Sequence, residues 1–256
     1  MTPFRKGRYL ARLAASADDL RRAQRLRWLC FVARDGDAAS GDEIESDAHD
    51  DRCGHMLISD AASGRLVCCF RFLPLPGGRD IGASYSAQFY DLGAFEAFDS
   101  PLVEVGRFCV HPHVQDPDVI RLAWAALTRV VEATGARMLF GCSSFRGTDP
   151  ADHAQAFALL QARHLAPRRW WPRIKAPHVF RLARAPLAGP HDPRRAMAGM
   201  PPLLRSYLAL GGWVSDHAVV DASLGTMHVF TAVETAAIPP ARRQRLLASA
   251  SQAFPD

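Results

Sequence analysis

Between residues 102 and 142 the chain reads as strand, helix, strand, and that succession limits the fold more than any other feature. Leu102-Val103-Glu104-Val105-Gly106-Arg107-Phe108-Cys109-Val110 is a largely apolar run stopped by His111-Pro112. Pro117 then opens a helix in which Ile120, Ala123, Trp124, Leu127, Val130 and Val131 recur as an apolar stripe. Residues 138–142 form the next buried strand, ending at Ser143-Ser144. A strand that returns to a second strand through a helix makes a crossover, so the chain needs a mixed sheet with helices packed on it.

The flanking segments fit that frame. Ser16-Ala17-Asp18-Asp19 is an acidic variant of a capping box, ahead of Leu20, Gln24, Arg27, Trp28 and Phe31 at helical spacing. Residues 35–51 are rich in Gly, Ser, Asp and Glu and read as a long loop that a ligand or partner would order. Strands at 55–59 and 65–73 flank Asp60-Ala61-Ala62-Ser63-Gly64, a hairpin connection. After Asp149-Pro150 a helix runs through Ala156, Phe157, Leu159 and Leu160. A basic, Trp-rich stretch, a strand at 178–182, a Pro/Gly linker, a helix at 203–210 and strands near Ala218 and Val229 complete the chain. We expect a core over 1–185 and a C-terminal extension over 186–256 packing on it.

At 256 residues and 48% hydrophobic content, one large core is affordable. The formal net charge of +5 favours an acidic partner: nucleic acid, anionic lipid or an acidic carrier protein. No apolar run approaches the roughly 18 residues a membrane span needs, so the chain reads as cytosolic or peripheral to the inner face of the membrane. Six cysteines form no C-x-x-C pair, and a thiol in an apolar strand behaves as a small hydrophobe. Neither they nor the histidines have zinc spacing, and no metal is assigned.

The chemistry concentrates in charges placed where apolar residues are expected. Burying Glu104 or Arg107 in a strand costs several kcal/mol unless each is paired. Strict alternation puts them on opposite faces, so a shared task requires a bulge, for which Gly106 is suited. A plain structural ion pair is the competing reading. Arg71, within Cys69-Phe70-Arg71-Phe72-Leu73, repeats the pattern and is equally consistent with an edge-strand charge.

Arg27-Trp28-Leu29-Cys30-Phe31 resembles the R-x-x-x-F helix motif of the acyl-homoserine lactone synthases. Asp47, Asp50, Arg71 and Glu104-Val105-Gly106-Arg107-Phe108 follow in that family's order. A sister family, the ornithine-acyl carrier protein N-acyltransferases, is more similar. The resemblance there lies in Cys53-Gly54-His55-Met56-Leu57, in Tyr85-Ser86-Ala87-Gln88-Phe89-Tyr90-Asp91-Leu92, in the strand from Glu104 to His111-Pro112, and in Leu139-Phe140-Gly141-Cys142-Ser143-Ser144-Phe145. It extends from about Tyr9 to Val229, and the chain departs from the sister pattern at His49, Gly54 and Phe108.

That resemblance implies a GNAT-like α/β fold and transfer of a (3-hydroxy)acyl chain from acyl carrier protein to the α-amine of ornithine. It makes Glu104 the candidate base with Arg107 beside it, and Arg27, Phe31, Asp47, Asp50 and Arg71 the candidate acceptor-binding set. Arg27 and Arg71 suit the acceptor's carboxylate, Asp47 or Asp50 its ammonium. Ser143 and Ser144 are candidates for orienting the leaving thiolate, although a hydroxyl at a strand end is more often a cap. The run His111-Pro112-His113-Val114-Gln115-Asp116-Pro117-Asp118 has no glycine to cradle a pyrophosphate, which favours a carrier-borne donor and no separate cofactor. Arg168, Arg169, Arg173 and Lys175, with Trp170 and Trp171, form the candidate carrier-protein surface or a peripheral membrane contact. No nucleic-acid motif accompanies them. Transfer to another amino acid such as glutamine, a lactone synthase, and a non-catalytic carrier-binding protein stay open.

Overall fold

In the computed structural model, which describes residues 1–33, 43–185 and 192–251, the expected elements appear in order, several with shifted ends, among further strands and helices that the sequence reading did not mark. Residues 35–42 of the acidic loop and 186–191 of the Pro/Gly linker lie outside the described residues. Along the chain come β1 (Phe4–Lys6), β2 (Tyr9–Leu13), α1 (Ala17–Phe31), β3 (Gly54–Asp60), β4 (Leu66–Leu75), β5 (Tyr90–Asp91), β6 (Leu102–Val110) and α2 (Pro117–Thr134). There follow β7 (Met138–Arg146), α3 (Ala154–Arg163), β8 (Arg173–Ile174), β9 (Val179–Phe180), α4 (Pro193–Ala198), α5 (Pro202–Ala209), β10 (Trp213–Asp221), β11 (Thr226–Glu234) and α6 (Pro240–Ser251). The chain divides into two compact units, one of Met1–Pro74, Val105–Gly135 and Pro240–Asp256, the other of Leu75–Glu104 and Ala136–Pro239.

In the first unit the strands run in the order β1-β2-β3-β4-β6, with β1 to β4 antiparallel. Helix α1 starts because Ser16 Oγ accepts the Asp19 amide, and Asp19 in turn takes the Ala15 amide and both arms of Arg12 from β2. Its buried face is Ala23 and Leu26, packed on Leu57, Cys69 and Cys109. Of Leu20, Gln24, Arg27, Trp28 and Phe31, which the helical spacing marked, Arg27 is buried and the other four are half-buried. The β3–β4 hairpin closes on Asp60 Oδ1, which accepts the Ala62 and Ser63 amides, with Gly64 left-handed. Helix α2 begins at an Asp116 cap and ends on left-handed Gly135. It buries Val119, Leu122, Ala126, Leu127 and Val130, a wider face than the expected stripe, while Ile120, Trp124 and Val131 are half-buried.

In the second unit the order is β6-β7-β11-β10-β9. β6 and β7 pair in parallel from Leu102↔Met138 to Glu104↔Phe140, so the sheet is mixed, as the crossover requires. β7 and β11 are antiparallel along nine registered pairs. This pairing carries β7 to Arg146, so Ser143 and Ser144 lie within a strand, not at the turn the sequence suggested. β10 and β11, from beyond residue 186, are sheet strands, whereas the strand expected at 178–182 shrinks to two residues. Phe145, Phe157, Leu160, Leu182, Leu204 and Val229 form the adjoining core. Each such buried side chain contributes about 1.5–3 kcal/mol. β5 and β8 make a separate two-stranded ribbon.

Candidate active site

Six charged side chains of the first unit close a ring in which cation and anion alternate. Arg27 on α1 donates to Glu45 (2.5 Å) and to Asp50 (2.6 Å). Arg71 on β4 donates to Asp50 (2.7 Å) and with both nitrogens to Asp47 (2.6 and 2.8 Å). Arg107 on β6 closes the circuit, Nη2 to Asp47 (2.9 Å) and Nε to Glu45 (3.0 Å). Three guanidiniums thus face three carboxylates, which answers how such charges can be buried: every one is paired at least twice.

The ring's supports come from its own unit. Gln24 Nε2 donates to Asp50 Oδ2 (2.9 Å). His55 Nε2 sits 2.9 Å from the Asp50 carbonyl, which can only accept, so that nitrogen carries the hydrogen. Burial pushes the His55 imidazole below its ordinary pKa. Burial by itself would raise the Asp47 and Asp50 carboxyls, but the hydrogen bonds and charges of Arg71 on Asp47, and of Arg27 on Asp50, hold both below the usual carboxylate range. Arg71 is raised, since its carboxylate partners outweigh burial.

Arg107 is the one non-glycine residue with positive φ (51°) among the described residues. The irregularity expected at Gly106 therefore falls on its neighbour, at a cost of about 1–2 kcal/mol that its two carboxylate bonds offset. Gly106 lies against Arg71, Nε being 3.6 Å from where a Cβ would stand. Two departures from the sister pattern have plain packing roles: Phe108 stacks on Phe70 (centroids 5.6 Å), and a Cβ at Gly54 would strike the Phe72 ring. Phe31 packs, half-buried, beside the Ala23–Leu26 face.

Glu104 belongs to the second unit and has different partners. Its Oε2 accepts the Tyr85 amide (2.8 Å), and its Oε1 accepts the Ser86 amide (2.8 Å) and hydroxyl (2.6 Å). Three donors occupy much of a carboxylate's capacity of about four, leaving room for one more. Ser86 Oγ also lies 3.5 Å from Cys142 Sγ. Tyr207 on α5 is buried and its phenol is raised, first by burial and then by the Glu104 charge. Ser143 is buried and accepts from Thr231 Oγ1 (3.0 Å), whereas Ser144 faces outward.

The basic stretch divides into separate roles. Arg168 and Arg173 are exposed; Arg169 pairs with Glu234 (2.7 Å). Trp170 donates to Glu234 and packs its ring on Phe95 and Phe98, so it serves the fold. Lys175 Nζ donates to the Ala87 carbonyl (2.6 Å). Among the described residues no helix is long and apolar enough to cross a membrane, and no three His, Cys, Asp or Glu side chains are grouped to hold a metal ion.

Residues 26–125, which carry the ring and Glu104, match the family model described as an acetyltransferase (GNAT) domain. Over 246 residues the chain is 34% identical to the L-ornithine N(alpha)-acyltransferase of Rhodobacter capsulatus, covering 92% of this chain and 93% of that protein. The chain belongs to the L-ornithine Nα-acyltransferase family. A second member, from Rhizobium meliloti, is 30% identical over 229 residues, covering 85% of this chain and 77% of its own. Among solved structures, FeeM, an N-acyl amino acid synthase from uncultured soil microbes, covers 96% of this chain and 98% of its own at 13% identity and a TM-score of 0.48. The CoA-dependent acyl-homoserine lactone synthase MesI covers 95% and 96% at 14% identity, also with a TM-score of 0.48. The mixed sheet flanked by helices is the GNAT-like fold of this acyltransferase family.

Sequence reasoning overlooked Glu45 and the Tyr85-Ser86 segment. Glu45 sits in an aperiodic acidic loop beside several other carboxylates, so nothing marked it as the bridge between Arg27 and Arg107. Ser86 lies within the Tyr85–Leu92 segment that resembles the sister family but carries no chemical cue of its own.

Proposed function

We propose that this protein transfers an acyl chain from acyl carrier protein to the α-amine of ornithine, giving an N-acylated amino acid. The observation that carries the reading is the 34% identity to an L-ornithine N(alpha)-acyltransferase across nine-tenths of both chains, a span that includes the whole charged ring and Glu104.

A thioester is already electrophilic, so the enzyme's work is to hold an amine in attack position and remove its proton. Glu104 takes that proton through its remaining acceptor position, directly or by way of one water. Acceptor recognition falls to the ring's accessible edge. Arg27 and Arg71 are nearly inaccessible (side chains 1% and 3% exposed), whereas Asp47 at 23% and Arg107 at 12% are the most open members. A guanidinium and a carboxylate side by side suit an acceptor with an α-carboxylate and a side-chain ammonium: Arg107 takes the first, Asp47 the second.

The carrier-borne donor has support at α2. Where a phosphate would sit against a helix N-terminus, the Asp116 carboxylate already accepts the Asp118 amide (2.9 Å), and its charge repels a phosphate. Exposed Arg168 and Arg173 supply positive charge for an acidic carrier.

The test is thiol release from acyl–acyl carrier protein with a panel of amino acids, with products weighed by mass spectrometry. Ornithine-dependent release and an acyl-ornithine mass are expected; release with no amino acid in the panel would overturn the proposal.

A further inference from the structure

The turn that holds Glu104 is fastened at its other end by a residue of the basic stretch. Ser86–Gln88 is a single 3-10 turn with Tyr85 at its cap position. A short helical turn leaves amides free at its start and carbonyls free at its end. Here both front amides, Tyr85 and Ser86, go to Glu104. At the back, Lys175 Nζ donates to the Ala87 carbonyl (2.6 Å), and the amide of the next residue, Ala176, donates to the Phe89 carbonyl (2.9 Å). The turn is therefore strung between a carboxylate at its amide end and an ammonium at its carbonyl end. Ser84 keeps it from unwinding, since its hydroxyl donates to the Ile81 carbonyl and accepts the Ala87 amide.

Lys175 is exposed, and an exposed lysine ordinarily keeps its rotamer freedom and its hydration. This one is extended onto the carbonyl of a buried residue instead. It sits directly after β8, whose pairing with β5 (Tyr90↔Ile174) ties its backbone to the chain leaving the same turn. We infer that Lys175 is a positioning residue for the reaction: through the Tyr85–Phe89 turn it sets where the Glu104 carboxylate stands. This rests on the reading of Glu104 as the base, and it removes Lys175 from the carrier-docking surface.

The two roles separate kinetically. A docking contact changes the KM for the carrier-borne donor and leaves kcat alone; a positioning residue changes kcat at saturation. With the full chain, acyl–acyl carrier protein and ornithine, Lys175→Met is expected to lower kcat about tenfold, with both KM values within about twofold and melting unchanged. Lys175→Arg, which can donate to the same carbonyl, recovers most of the loss. Hydrogen exchange at the Tyr85 and Ser86 amides accelerates in the Met variant and not in the Arg variant. A raised donor KM with normal kcat overturns the inference in favour of docking. Normal kinetics overturns it outright, as does a kcat loss that accompanies a general fall in melting temperature. Each of these outcomes presupposes wild-type turnover, so failure of the acyl-transfer reading itself would appear separately, as an inactive wild type.

Discussion

Replacing Glu104 by Gln tests both the chemistry and the architecture, because the three donors on this side chain make different demands on an amide. A Gln oxygen placed at Oε1 can keep the Ser86 amide and hydroxyl, but its NH2 then points at the Tyr85 amide, donor against donor. Turning the amide over sets its NH2 against the Ser86 amide instead and makes the Ser86 hydroxyl reverse its role to accept. The variant therefore loses one charge-assisted bond outright and weakens the others, about 2–3 kcal/mol in all for a side chain only 5% exposed. For a chain of this size that corresponds to a fall in melting temperature of roughly 4–12 °C. The loss of the proton acceptor adds a kinetic effect of at least about a hundredfold in kcat, typical of general-base removal. The assay is thiol release at saturating acyl carrier and ornithine, beside calorimetry on the same preparation. Glu104→Asp serves as the companion, since it restores charge but shortens the reach: it should recover little activity while keeping negative charge near the turn. Turnover of Glu104→Gln within tenfold of wild type would refute the base assignment. An unshifted melting temperature would refute the claim that the carboxylate anchors the Tyr85-Ser86 turn.

Other consequences are more local. Arg107→Lys keeps the charge but cannot span Glu45 and Asp47 with two arms, so the acceptor KM should rise about tenfold with a smaller change in kcat, read from initial rates across acceptor concentrations. Asp19, held by Arg12, has its carboxyl lowered to about 2. A depressed folded-state pKa stabilises above the unfolded value near 3.8 and is lost as pH falls through the folded one, so melting temperature should drop between about pH 4 and pH 2, and Asp19→Asn should flatten that limb. Gly78→Ala drives a Cβ onto the backbone carbonyl of Phe95, and denaturant titration should register a loss of about 3 kcal/mol or more.

The elements that supply the ring's arginines, α1, β4 and β6, were legible because burial leaves a period in the sequence, whereas β1, β2 and α6 in the same unit were not read. β6 was read to the residue, and the Asp60–Gly64 hairpin follows from turn chemistry. Periodicity failed where long-range partners decide the outcome. β7 continues through Ser143 and Ser144 because β11 pairs with it, and no local signal reports the presence of a strand some eighty residues away. Of the residues that helical spacing marked on α1, Arg27 is the buried one, against its ordinary preference, since Glu45 and Asp50 receive it; the apolar burial falls on Ala23 and Leu26, which the spacing did not mark. Charge anomalies within strands identified Arg71, Glu104 and Arg107 as residues in need of partners; those of Arg71 and Arg107 are set by a loop whose carboxylates look interchangeable in sequence, and those of Glu104 by the amides of a turn, which leave no mark in sequence.

If the ring's open edge receives the acceptor, as proposed, the ring's stoichiometry constrains which acceptors it favours. Its six members already satisfy one another, so a ligand gains only by offering both charges at the open Asp47–Arg107 edge. A ligand with a carboxylate alone would pull Arg107 from Asp47 and leave that carboxylate half-paired; a simple diamine would do the converse to Arg107. Ornithine, bound with its α-amine neutral for attack, still carries an ammonium and a carboxylate and can engage both. Glutamine offers the carboxylate but only a neutral amide to Asp47. Asp47→Asn should consequently weaken ornithine about ten- to a hundredfold in kcat/KM while narrowing its advantage over glutamine, because the substitution removes the charge that distinguishes them. A variant that lost both acceptors in equal proportion would assign Asp47 to the ring's framework and leave ornithine's ammonium to another partner.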